Sequence, residues 1–219
     1  QPGGGTVNWT NPWGEYSYID DIELREDGGT PGFLQAIKAS LCIELKNEMG
    51  ISNMRKREDQ LLETTFRELR KIPNVHILAD NVEKRLGVVS FYIDDIHYNL
   101  VVRLLSDRFG VQVRGGCACA GTYGHYLLHV THEQSRRITK FIDQGDLSIK
   151  PGWVRLSLHP TMTDKDLACT IEGIRQVALY GKKWASDYKY NRHSNEFTFK
   201  NNSFKGSVDY VKWFRPLDD

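Results

Sequence analysis

The chain lacks charge of one sign, long apolar runs and an abundance of thiols. Its 29 Lys and Arg stand against 28 Asp and Glu, a formal net charge of +1. That balance gives no bulk electrostatic reason to expect nucleic acid or an acidic membrane as partner. No apolar run reaches the roughly 18 residues that a bilayer-spanning helix needs. The start, Gln1-Pro2-Gly3-Gly4-Gly5, has no basic region followed by an apolar stretch, so it does not read as a signal peptide. It also has no initiating Met, and translation is expected to begin upstream. Internal repeats and low-complexity tracts are absent as well. Only four cysteines occur: Cys42, Cys117, Cys119 and Cys169. With no signal peptide, a reducing, cytoplasmic setting is the default expectation. Cys42 and Cys169 fall inside helix-like apolar patterns and read as small buried hydrophobes. Cys117 and Cys119 instead lie in a glycine-rich loop.

What is present is an ordinary globular composition, 40% hydrophobic and 26% charged. A length of 219 residues allows one large domain, or one and a half small ones. Residues 1–29 show no clear period and read as a loop without regular structure. Thr30-Pro31 then predicts a helix start, with Thr30 as cap and Pro31 at the first helical position. Leu34, Ile37, Leu41 and Leu45 recur at helical spacing up to Gly50, a C-cap. A second helix is expected over about 52–71, with Leu61, Leu62, Phe66 and Leu69 on its apolar side and Pro73 ending it.

Strand signals follow at Val75–Leu78 and Val88–Ile93. Val101, Leu104, Leu105 and Phe109 mark a helix closed by Gly110. Val111–Arg114 reads as a short strand. Thr131 with Gln134 fits a capping box before Ile138, Phe141 and Ile142. Trp153–Leu158 reads as a strand, and Thr163 with Asp166 opens a helix ended by Gly181 and two lysines. A short strand is possible at Glu196–Phe199. The order ααββαβαβα implies an α/β or α+β layer with helices over a small sheet.

Two segments carry chemistry. The first is RGGCACAGTYGHYLLHV, from Arg114. Small residues such as Gly115 and Gly116 let a loop approach a ligand and move. Thiol chemistry needs the thiolate, and Arg114 is a candidate source of the nearby positive charge that favours it. Cys117 and Cys119 can therefore be a nucleophile or sulfur carrier. They can also join His125 and His129 as metal ligands, although C-x-C is tight for zinc. The plain alternative is a tight loop in which the thiols are merely small.

The second segment is Val154-Arg155-Leu156-Ser157-Leu158. Alternation puts Arg155 and Ser157 on one face and the aliphatics on the other. An arginine there is costly unless paired, and its planar fork suits a carboxylate. An internal Asp or Glu, or a solvated strand face, would satisfy it equally.

These pieces resemble, in order and spacing, the class V aminotransferase and cysteine desulfurase family, selenocysteine lyases included. PGGGTV (Pro2–Val7) looks like the glycine-rich stretch after that family's cofactor lysine. Arg25–Gly50 resembles its Gly-Thr-Pro turn and long helix. VQVRGGCACAG (Val111–Gly121) resembles the loop with the sulfur-accepting cysteine, and WVRLSLHPTMTDKDL (Trp153–Leu167) the strand with the carboxylate-binding arginine. The similarity runs over roughly residues 1–180.

The resemblance implies the C-terminal part of a fold-type-I pyridoxal-phosphate transferase. Residues 1–50 would end its large domain, 51–180 would form its small α/β domain, and 181–219 an aromatic and basic extension packing on the rest of the enzyme or on a partner. It further implies Gly29 and Thr30 at the phosphate of the partner subunit's pyridoxal 5'-phosphate, Arg155 on the substrate carboxylate, and Cys119 as the catalytic thiol, with Cys117 the alternative. Arg114, Gly115 and Gly116 would support the loop. The implied substrate is cysteine or a related amino acid, with a homodimer and a sulfur-acceptor protein as further partners. In that chemistry a thiolate takes the substrate's sulfur, leaving an enzyme persulfide and alanine. No lysine here sits in a recognisable cofactor-holding context, and Ala120-Gly121 stands where many desulfurases have Gln-Pro. An aminotransferase using Arg155 and Thr30 without the thiol, or a non-catalytic interaction module, are the rival readings.

Overall fold

The computed structural model describes residues 1–117 and 119–201. The chain divides into two compact units, Gln1–Met54 and Arg55–Asp219. In the first, strand β1 (Val7–Thr10) pairs antiparallel with β2 (Tyr16–Tyr18). The turn between them is built by Asn11, whose side-chain oxygen accepts from the N–H groups of Trp13 and Glu15, both at 3.1 Å. A short helix, α1 (Ile22–Glu26), starts where the Asp21 carboxylate accepts from Leu24 N–H. Residues 1–29 are thus not the unstructured loop expected from their lack of period. The signals were local turn and cap residues.

Helix α2 covers Phe33–Met49, with Gly50 as C-cap. Its N-cap is Gly32, not Thr30, and no side chain caps it. The N–H of Phe33 bonds back to the Pro31 carbonyl at 2.9 Å. That tight turn uses up Pro31 and Gly32 before helical geometry begins, and a residue preceding proline is itself pushed toward extended backbone. None of the helix is buried, so Leu34, Ile37, Leu41, Leu45 and Cys42 are exposed rather than in a core.

Helix α3 (Ile51–Leu69) starts in the first unit and supplies Leu61, Leu62, Phe66 and Leu69 to the core of the second. The second unit is built on a four-stranded antiparallel sheet in the order β3 (Val75–Ile77), β4 (Val88–Ile93), β6 (Trp153–Ser157), β5 (Arg114–Gly116). Alternation sends Val89, Phe91 and Ile93 of β4, and Val154 and Leu156 of β6, into one core. Helices α4 (Tyr98–Phe109) and α7 (Asp164–Trp184) complete it with Val101, Leu104, Leu105, Ile171, Ile174 and Val177. Cys169 misses the buried stripe of α7, which runs through Leu167, Thr170, Ile171 and Ile174, and is exposed. Both capping boxes are formed, by Thr131 on α6 (His132–Asp143) and by Thr163 on α7.

Three local expectations shift. The strand expected at 111–114 is Arg114–Gly116 instead. An additional helix, α5 (Gly121–Leu127), follows the thiol loop. Gly181 does not end α7 but lies buried within it, where an added Cβ would come within 2.8 Å of Ile96. Beyond α7, β7 (Tyr188–Asn191) and β8 (Glu196–Phe199) form a hairpin. Tyr188 is buried and its hydroxyl meets Asp107 at 3.0 Å. Burial first, and then the Asp107 carboxylate, push that phenol up to about 12. The aromatic segment therefore packs on its own unit as far as it is described; residues 202–219 of the expected extension lie outside the described residues.

Candidate functional site

The polar face of the sheet is where sequence and structure converge. Strand pairing places Arg155 directly opposite Ser90 on one side and Arg114 on the other. Directly opposed residues share a face, with Cβ atoms about 5 Å apart, and like charges so placed repel. No carboxylate ion-pairs with either arginine among the described residues. Arg155 Nε is buried and has no hydrogen-bond partner. An internal acid, one explanation open from spacing alone, is therefore not what satisfies Arg155 within this region. A buried unpaired N–H of a permanent cation costs on the order of 1–3 kcal/mol. An oxyanion seated between Arg155, Arg114 and Ser90 would relieve both the vacancy in hydrogen bonding and the repulsion.

The loop after β5 brings the thiols to the same edge of the sheet. Gly115 is needed for packing: an added Cβ would come within 2.6 Å of Asn99 Oδ1 and 3.1 Å of the Tyr98 ring on α4. Gly116 has φ +113, a conformation side chains rarely adopt, and its Cβ position is open. The two glycines thus seat β5 on α4 and turn the chain into the loop. The N–H of Ala120 then donates to the Cys117 carbonyl at 2.9 Å. Cys119 is exposed, with φ +59; Cys117 is half-buried and lines a cavity of about 150 Å³ with Trp153, Gly124, Leu128 and Ile142. His125 bonds the Gly121 carbonyl through Nδ1 and Ser135 Oγ through Nε2, both at 2.8 Å. Both its ring nitrogens are engaged, and no group of three metal-ligating side chains converges among the described residues.

Gly29 and Thr30 belong to the first unit. Gly29 has φ +98 and open space around its Cβ position. A Cβ on Gly5 would come within 2.6 Å of Gly29 N, so the Gly3–Gly5 stretch lies against the Gly28–Gly29 turn. Two motifs separated by more than a score of residues in sequence thereby form one glycine-lined corner. The residues Gly28, Gly29 and Thr30 there are exposed, and glycine N–H groups with a hydroxyl are donors of the kind that suits a phosphate.

Sequence reading missed Ser90. Alternation in Val-Val-Ser-Phe-Tyr-Ile put it on the polar face, but its neighbour Arg155 lies 65 residues away and only register reveals the pair.

The family model described as aminotransferase class V matches residues 1–169. A cysteine desulfurase of Haloferax volcanii is 23% identical over 140 residues, covering 59% of this chain and 33% of its own length. The apo structure of a cysteine desulfurase from Thermococcus onnurineus superposes with a TM-score of 0.56 at 23% identity, covering 81% of this chain and 38% of that one. A mutant of the cystine C–S lyase C-DES, solved with glycine covalently linked to its pyridoxal-phosphate cofactor, gives 0.51 at 17% identity over 78% of this chain and 36% of that one. The chain thus spans about a third of the length of these relatives. Its fold is that of part of a cysteine desulfurase, and with a family match over most of its length the chain belongs to the class V aminotransferases.

Proposed function

We propose that this chain supplies the carboxylate clamp and the sulfur-accepting thiol of a pyridoxal-phosphate-dependent cysteine desulfurase. The observation that carries the reading is the orphaned, buried Nε of Arg155 beside Arg114 and Ser90. Arg155 holds the amino-acid carboxylate through its fork, and Arg114 and Ser90 add charge and a hydrogen bond from the flanking strands. The exposed Cys119 thiolate attacks the substrate's sulfur; the C–S bond breaks, alanine leaves, and a persulfide remains on Cys119. Gly29 and Thr30 hold the phosphate of the partner subunit's cofactor. When bound, the cofactor supplies an electron sink for the bonds to the substrate's α-carbon.

The reading includes a homodimer, a sulfur-acceptor protein as partner, and a cytoplasmic location. The described helices offer no membrane span: none is long and apolar enough to cross one. In a protein that carries this chain and holds the cofactor, Cys119→Ala should abolish sulfide release from cysteine while cofactor absorbance persists. Unchanged sulfide release would remove the thiol from the reaction; sulfide release absent in the parent, with transamination through Arg155 and Thr30 in its place, would leave an aminotransferase. The 219-residue chain by itself, given pyridoxal phosphate and borohydride, should fix no cofactor at a single lysine. A mapped, stoichiometric label would contradict that.

A further inference from the structure

The second thiol has no part in that reaction, yet the fold treats it differently from the first. Cys119 is exposed, while Cys117 is half-buried against an apolar cavity beside Trp153. The N–H of Ala120 donates to the Cys117 carbonyl. Two residues of chain separate the Cys117 and Cys119 Cα atoms by at most about 7 Å, so the spacing in sequence keeps the two thiols within about the reach of a disulfide. His125, the nearest imidazole in sequence, is tied to Gly121 and Ser135 and does not compete for either sulfur as a metal ligand.

We infer that Cys117 is a resolving thiol. Resting on the reading of Cys119 as the sulfur acceptor, it discharges the Cys119 persulfide as sulfide within the chain. The Cys117 thiolate attacks Cys119 Sγ, the inner sulfur. The S–S bond to the outer sulfur breaks, and that sulfur leaves as hydrosulfide with the electron pair. A Cys117–Cys119 disulfide forms. The outer sulfur is reduced and the two cysteines are oxidised, so no outside oxidant is needed. The proton lost by the Cys117 thiol ends on the departing sulfide. A disulfide across one intervening residue is strained and exposed at Cys119, which makes it readily reducible. An external dithiol then restores both thiols by exchange.

The arrangement explains the asymmetry of exposure. The exposed thiol meets the substrate, and the recessed one meets only what its neighbour already carries. It also makes an acceptor protein optional, because the sulfur can leave as free sulfide.

The test uses the whole 219-residue chain and glutathione persulfide as the sulfur donor. The reduced chain is loaded, desalted to remove small thiols, and followed for sulfide release. Trypsin releases Gly115–Arg136, which holds Cys117 and Cys119 and no other cysteine. The parent chain should release one sulfide per loaded chain without added reductant, and that peptide should lose two hydrogens. Cys117→Ser should keep its persulfide on Cys119 until dithiothreitol is added. Cys117→Ala serves as the second variant, because it places no hydroxyl against the apolar cavity. Equal persulfide lifetimes in the parent and both variants would overturn the inference while leaving Cys119 as acceptor. Persulfide found on Cys117 rather than Cys119 would overturn both readings.

Discussion

On strand β6, Val154 and Leu156 sit in the hydrophobic core, while Arg155 between them keeps a buried Nε with no partner. The same alternation produces both faces, but they answer to different requirements. On the helix-covered face Phe91, Leu104, Ile174 and Val177 pack together without a charge. The other face holds two permanent cations side by side, and no carboxylate ion-pairs with either among the described residues. Placing Arg114 opposite Arg155 costs repulsion that a bound anion would relieve, which is what the proposed role of this face requires.

The largest effect should come from the packed face. Phe91→Ala is expected to cost about 3–5 kcal/mol, through lost burial and a cavity between β4 and the helices, measured by denaturant unfolding of the chain. A change below about 1 kcal/mol would mean that the core is not closed as described.

Next is a pH effect on the same side. His97 caps α4 with Nδ1, which accepts from Asn99 N–H at 3.1 Å, and it stacks on Tyr98. Burial lowers its pKa below the ordinary histidine value. The unfolded chain therefore takes up a proton at this site before the folded chain does. The stability linked to His97 is full above about pH 6.5 and is lost as pH falls from there toward the lower folded pKa. Comparing unfolding free energies from neutral to mildly acid pH, in parent and His97→Asn, should show that slope shrink in the variant. An unaltered slope would detach it from His97.

The Thr163→Ala change removes the hydroxyl that accepts from Asp166 N–H at 3.1 Å, and should cost about 1 kcal/mol. The smallest effect separates the faces most cleanly. Arg155→Leu should change stability by less than about 0.5 kcal/mol or raise it, because it deletes an unpaired cation and a like-charge contact. A loss as large as that of Phe91→Ala would make Arg155 structural.

Much of this was legible in the chain. Periodicity located α3, β4, α4 and α7, since each buries a stripe whose spacing follows from local geometry. The capping boxes at Thr131 and Thr163 were readable because they involve residues only three apart. The motif order also led to the family that the comparisons bear out. What stayed hidden depends on distant partners. An amphipathic pattern at Leu34, Ile37, Leu41 and Leu45 says that a helix has an apolar side, not that this chain covers it. The β1–β2 turn at Asn11-Pro12-Trp13-Gly14 carried its own signal and was passed over because no period surrounded it. Strand register is the deeper gap: no local rule brings Ser90, Arg155 and Arg114 into one row.

The proposed pairing of Arg155 with a substrate carboxylate is open to a direct test, the discrimination between cysteine and cysteamine, which lacks only that group. In a cofactor-loaded protein carrying this chain, kcat/KM should strongly favour cysteine. Arg155→Ala should erase most of that preference, a loss of about 2–5 kcal/mol felt by cysteine and not by cysteamine. If the variant discriminates as well as the parent, the arginine does not read the carboxylate and the account of this face is wrong.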